Sequence, residues 1–211
     1  MALFSFDPAI MKPIALTLNL VVAGTSFWYF KKNNHFRWNL FFPFAITSVP
    51  AAYFGGRLIL DPTLYKQILG GFMFLAVLRL FLIKPKEKED KKEVNLVLAI
   101  VMGALIGFFS GMIGIGGGII LSPLILLLNW GSAKETAAAS ALFIFVNSAA
   151  GILGLMNQGQ SIPSEITYII PAALLGAIGG SLLGSKKLKN LHVQYLLAAV
   201  LLVAGIKLFF V

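Results

Sequence analysis

The 211-residue chain is 58% hydrophobic and 12% charged, carries a net charge of +9 and contains no cysteine; its mean hydropathy is +0.89. Soluble domains hold roughly 45–50% apolar and about 25% charged residues, so a polar-surfaced globular protein is excluded, as are disulfides and thiolate metal sites. The positive balance does not read as nucleic-acid binding, because the basic residues come in short clusters between apolar spans, the pattern of loops on a membrane protein.

Apolar stretches of about 17–25 residues are expected to cross a bilayer as helices. They lie at 13–30, 38–59, 65–83, 136–156, 165–184 and 192–211. The acidic residues Asp7, Asp61, Glu87, Glu89, Asp90, Glu93, Glu135 and Glu165 all fall between these stretches or at their ends, as expected when a charge at the bilayer centre costs at least about 2.5–3.5 kcal/mol. His35 and His192 sit in loops without a second ligand nearby, so no metal is expected.

One further stretch, 94–130, is too long for a single crossing. As a straight helix it would run about 55 Å against a hydrocarbon core of about 30 Å. It is expected to break at Ser110-Gly111-Met112-Ile113-Gly114-Ile115-Gly116-Gly117-Gly118, ahead of Pro123, because each glycine costs a helix interior about 1 kcal/mol. Glycines spaced for close helix packing, such as Gly103 and Gly107, and the pairs Gly55-Gly56 and Gly179-Gly180 read as contacts between helices.

The charged run KPKEKEDKKE divides the chain into 1–83, a loop at 84–93, and 94–211. The two larger parts are related: a shift of 124 places Ala15 on Ala139, Leu18 on Leu142, Val22 on Val146 and Gly55-Gly56 on Gly179-Gly180. Weak internal repeats of this kind are a feature of secondary transporters. At the same shift Met1 meets Ile125, so 1–83 reads as three helices with no counterpart of the glycine segment, and 94–211 as a glycine hairpin followed by three helices.

Charge decides how the glycine segment runs. The basic clusters are Lys31, Lys32 and Arg37, then the five lysines of 84–93, then Lys186, Lys187 and Lys189, while the loop 157–164 has no basic residue. A hairpin broken at the glycines puts all three clusters on one side, as the positive-inside rule favours. The expected fold is therefore an all-α polytopic membrane protein of six full transmembrane helices plus one glycine-broken hairpin, its two repeats inverted, with 31–37, 84–93 and 185–191 in the cytoplasm.

Within a bilayer, broken backbone is tolerated only when buried in protein or lining a polar cavity. The unwound glycines leave N–H groups unpaired, and the helix expected to start near Ile119 adds the positive end of its dipole, together a place for an anion. The expected substrate-binding residues are Ser110, Gly114, Gly116, Gly117 and Gly118, with Ser140, Asn147 and Ser148 from the facing helix. Thr17, Asn19, Thr25 and Ser26 are the polar residues of the first helix. A nucleotide-binding phosphate loop is not expected, because no strand precedes GIGGG and no Gly-Lys-Ser/Thr follows it.

The run GALIGFFSGMIGIGGGIILSPLILLL (103–128), followed by the alanine-rich KETAAASALFIFVNSAAGILG (134–154), resembles the sulfite exporter TauE/SafE family, also called the 4-toluene sulfonate uptake permease family. The resemblance extends through the repeat over nearly the whole chain. It implies a secondary transporter of a small sulfur-containing or other organic anion, of the sulfite or sulfonate type, in the multi-pass bacterial-type inner (cell) membrane. Members usually carry a first glycine segment near their start, which 1–83 lacks. The other function expected of such a chain is a membrane scaffold or incomplete transporter subunit needing a partner chain. An enzyme is not expected, because the spans carry no acid–base or nucleophilic side chain. The expected partners are the lipid bilayer, the anion and, in a homo-oligomer, further copies of the chain; no nucleic acid and no cofactor is expected.

Overall fold

A computed structural model describes residues 8–58, 61, 67, 91–164 and 166–187. The spans expected at 65–83 and 192–211, and the loop through residue 90, lie outside the described residues apart from residue 67. Every regular element described is helical: α1 (Pro8–Lys32), α2 (Trp38–Arg57), α3 (Leu96–Ile113), α4 (Gly118–Leu127), α5 (Ala133–Met156) and α6 (Ile166–Leu182), the last running into a single π-turn at Leu183–Lys187. Four of these segments are long and apolar enough to cross a membrane: Ile10–Lys32, Leu96–Ile113, Ala133–Met156 and Ile166–Lys186. With 20 residues, α2 is also long enough, at about 30 Å.

Local sequence sets the helix ends. The Asn95 side chain accepts the Leu98 N–H at 3.0 Å to start α3, and Ser132 and Glu135 form a reciprocal capping box at the start of α5, which satisfies two of the backbone donors a helix start leaves unpaired. The first helix starts earlier than hydropathy indicated, at Pro8 instead of residue 13, with Pro13 inside it. Pro8 suits the first position, whose N–H would have no intrahelical partner, whereas Pro13, the sixth residue, removes one bond from the helix ladder.

The expected break in 94–130 is present. Gly114, Gly116 and Gly117 hold φ angles of +84°, +70° and +77°, the left-handed region that side chains with a Cβ disfavour. Between α3 and α4 the chain reverses: the Lys92 N–H, ahead of α3, donates to the carbonyl of Asn129, beyond α4, at 2.9 Å. The segment is thus a hairpin whose open end is held together by a backbone bond. The short α4 places Leu121 and Ile125 in a core with Leu40, Phe44, Ala99, Ile106 and Phe143, all at most 2% exposed.

Glycine sets how closely the helices approach. A methyl group at Gly103, Gly107 or Gly111 of α3 would overlap the backbone of Phe44, Ser48 or Ala52 of α2 respectively. Both series advance by four residues, so α2 and α3 run parallel along a single seam of small residues. In the same way Gly55 meets the backbone of Phe108 and Met112, and Gly56 that of Gly151 on α5. In lipid, where burial between helices gains nothing from leaving water, such close backbone approach is a main source of association.

The basic residues flanking the loops after α1, before α3 and after α6 gather at one end, whereas Lys12 and Arg57 lie toward the other. Glu135 pairs with Lys91 at 2.9 Å and with Arg37 at 3.6 Å. Asn33 donates to the Ser185 hydroxyl at 3.3 Å, which brings the turn containing Lys186 beside the loop after α1. Cysteines introduced into this cysteine-free chain check the arrangement in the membrane. Lys31→Cys, Lys91→Cys and Lys186→Cys should react with a membrane-impermeant maleimide from one side, and Gln158→Cys from the other. Labelling of positions 186 and 158 from the same side would refute it.

Candidate functional site

The site follows from what the glycine break leaves unpaired. Gly114 ends α3 by donating its N–H to the Ser110 carbonyl at 2.8 Å, and the Gly117 carbonyl accepts from Ile120 and Leu121 to begin α4. Between these bonds, the N–H groups of Ile115, Gly116, Gly117, Gly118 and Ile119 make no backbone hydrogen bond among the described residues. Gly114, Gly116, Gly117 and Gly118 are buried, so water does not compensate these donors freely. A buried, unpaired backbone polar group costs about as much as a lost hydrogen bond.

The negative end of α3 meets the same break and would cancel part of the α4 dipole. It is partly neutralised: the Asn19 amide, from α1, donates to the Gly114 carbonyl at 3.3 Å. Of the four polar residues named on α1, only Asn19 reaches the break. Thr17 and Thr25 bond back to the Pro13 and Val21 carbonyls of their own helix, and Ser26 pairs with Ser181 at 2.9 Å.

Two serines face the break with unused hydroxyls. A Cβ at Gly116 would sit 3.2 Å from Ser148 Oγ, and one at Gly117 would sit 3.3 Å from Ser110 Cβ. Both residues are 0% exposed, and neither hydroxyl has a hydrogen-bond partner. Buried polar atoms are nearly always bonded; among the described residues Thr136 Oγ1 and Asn147 Oδ1 are the other two that are not. Ile144, Phe143 and Ile106 pack against the glycines and wall the site with apolar surface.

The remaining expected residues are placed differently. Ser140 accepts a hydrogen bond from Ser122 Oγ at 2.8 Å, so its hydroxyl joins α4 to α5 beyond the break. Asn147 is fully buried, but its amide donates to the Phe143 carbonyl one turn back on its own helix at 2.9 Å, leaving Oδ1 without a partner. No bond from Asn147 to another helix is seen among the described residues. Gly118 is the first residue of α4, one position before the expected start.

One residue at the site escaped sequence reasoning. Lys12 is 8% exposed, and its Cγ lies 3.2 Å from where a Cβ on Gly114 would be. Its ammonium donates to the carbonyls of Gly56 at 2.9 Å and Leu58 at 2.8 Å, the C-terminal end of α2. Its position next to the first apolar span made it look like a flanking charge. The available signal was Pro8, which as a helix-starting residue places Lys12 inside α1. Among the described residues no group of three or more His, Cys, Asp or Glu could hold a metal.

The sulfite exporter TauE/SafE family model matches residues 1–208. A probable membrane transporter protein of Sinorhizobium fredii is 34% identical across 99% of this chain and 86% of its own length. A second, of Methanocaldococcus jannaschii, is 28% identical across 83% of this chain and 69% of its own. The probable membrane transporter protein MamO of Paramagnetospirillum magneticum is 25% identical across 93% and 37%. No solved structure matches the chain.

Asn147→Ala separates a role in the site from a role in stability. Because the amide bonds only within α5 and leaves an unpaired acceptor, its removal should change stability by no more than about 1 kcal/mol, measured as thermal unfolding in detergent. A loss of several kcal/mol would show that Asn147 holds another helix in place.

Proposed function

We propose, for a chain that belongs to the sulfite exporter TauE/SafE family, the activity of a secondary transporter that moves a small sulfur-containing or other organic anion, of the sulfite or sulfonate type, across the cell membrane. The observation that carries this reading is the cluster at the break: five adjacent N–H groups without backbone partners and two fully buried, unbonded hydroxyls, Ser110 and Ser148. Every one of these groups can donate, and α4 directs the positive end of its dipole at the same place. An oxyanion with several acceptor oxygens satisfies such donors, whereas a cation or an apolar solute does not.

The mechanism uses broken helices as secondary transporters commonly do, with a half-helix N-terminus at the substrate's anionic group. Binding replaces the substrate's water by fixed backbone donors in a low-dielectric setting, where each hydrogen bond is electrostatically stronger than in water. The glycines let the anion approach the backbone closely. In the proposed alternating access, the repeats 1–83 and 94–211 are inverted and rock about this site, with the basic end in the cytoplasm. Support for that orientation comes from Arg37, Lys91 and Lys186 lying at one end of the structure together with the positive-inside rule.

Ser148→Ala and Ser110→Ala remove the two hydroxyls while leaving the glycine backbone intact. Each should weaken sulfite binding by about 10–150-fold, the range for a lost hydrogen bond to a charged group. Thermal stability should be unchanged or higher, since an unpaired buried hydroxyl is lost. Calorimetric binding and uptake into proteoliposomes give the two readouts. Wild-type affinity in both variants would remove the break from the transport site. Gly117→Leu is a poorer test, because its φ of +77° and the nearness of Phe143 and Ile106 make it a folding mutation as well.

A further inference from the structure

We propose that Lys12, whose side chain runs from beside Gly114 to the end of α2, is the counter-charge of the bound anion. This rests on the anion-site reading above and adds a residue to it. Among the described residues Lys12 is the one charged side chain that is buried. A lysine is rarely buried without a partner of opposite charge, yet its two bonds go to neutral carbonyls, Gly56 at 2.9 Å and Leu58 at 2.8 Å.

Three facts point the remaining capacity of this ammonium at the break. An ammonium has three donors, and the two carbonyls take two of them. The side chain passes directly beside Gly114, with Cγ 3.2 Å from the position of an added Cβ and the Lys12 carbonyl 3.3 Å from it. The acceptors that hold it are themselves against the break's supports, since Gly55 packs on Met112, two residues before Gly114, and Gly56 packs on Gly151, three residues after Ser148. Gly114 directly precedes the unpaired N–H groups of 115–119, so the Lys12 stem borders the break.

The alternative is that Lys12 only caps α2, whose C-terminal dipole end a cation favours. Capping alone accounts for the two bonds. It does not account for a full charge buried with no opposite charge beside it, on a side chain that borders the glycine break, an arrangement that becomes favourable once an anion arrives. Anion binding would then tie α1, the end of α2 and the glycine hairpin to one ligand, so substrate occupancy and the relative placement of these helices are coupled through a single side chain.

Three variants of the full chain test this, each measured for sulfite binding by calorimetry and for unfolding temperature without sulfite. Lys12→Gln keeps N–H donors for the Gly56 and Leu58 carbonyls but removes the charge; Lys12→Met removes both; Lys12→Arg keeps the charge. The expected result is a loss of sulfite affinity of at least about tenfold in both Lys12→Gln and Lys12→Met, with Lys12→Arg retaining most of it, while the unfolding temperature of Lys12→Gln stays near wild type. Wild-type affinity in Lys12→Gln, with lowered stability only in Lys12→Met, would overturn the counter-charge and leave a cap. Failure of wild type to bind either sulfite or 4-toluene sulfonate would instead overturn the anion-site reading, and this inference with it.

Discussion

A bilayer does not forgive an unpaired backbone amide, and the rest of this structure can be understood from that constraint. In hydrocarbon, each unsatisfied N–H costs several kcal/mol, which forces spanning segments to be helical. Here five consecutive N–H groups, 115–119, lack backbone partners among the described residues. They are tolerated only because α1, α3 and α5 enclose them, with Asn19, Ser110 and Ser148 supplied from those three helices. The enclosure is also what makes the donors valuable. Water competes weakly for them, so a ligand that satisfies them gains more than it would at a surface.

Enclosing a break requires helices that come unusually close, and glycine makes that possible twice over. At Gly114, Gly116 and Gly117 it supplies positive φ. At Gly103, Gly107 and Gly111 it supplies absence, since the space a methyl would take is occupied by the α2 backbone. The same residue type therefore does conformational work on one side of Ile113 and steric work on the other. Gly111 belongs to the second group although it lies within the glycine-rich motif. That division separates the motif into a packing part and a turn-forming part, which composition alone merges.

Much of this was legible in the sequence. The 94–130 stretch was too long to cross once and too rich in glycine to stay helical, and the basic clusters required a reversal, which the Lys92–Asn129 bond closes. The seam of Gly103 and Gly107 follows from spacing, whereas the capping box of Ser132 and Glu135 emerges only in the structure. What spacing does not carry is the partner of a polar side chain. Ser140 and Asn147 share a helix face and looked alike, but Ser140 bonds to Ser122 on another helix and Asn147 to its own. Lys12 was hidden for a different reason. A hydropathy window ends a span at the first charge, so a lysine buried one turn inside a helix is treated as its flank. The spans expected at 65–83 and 192–211, on which the expected internal repeat depends, fall outside the described residues.

The two ends of the molecule are held by different kinds of force, and this bears on which end opens at lower cost. At the basic end the ties are Glu135 with Lys91 and Arg37, whose basic side chains are 47% and 41% exposed. Exposed pairs of this type contribute about 0–1 kcal/mol and weaken with salt. Toward the other end, α2 is held by the ammonium of Lys12, by Gly55 against α3, and by Gly56 and the α5 residue Gly154 in close approach to α5. Separating these contacts exposes a buried charge and strips dispersion contacts that lipid cannot replace with the same fit. The basic end is also held by the Lys92–Asn129 backbone bond and by Leu40 and Phe44 in the core, so salt weakens only part of its hold. The opposite end needs a change that compensates Lys12, and an anion on its third donor is one that the chemistry of the site allows.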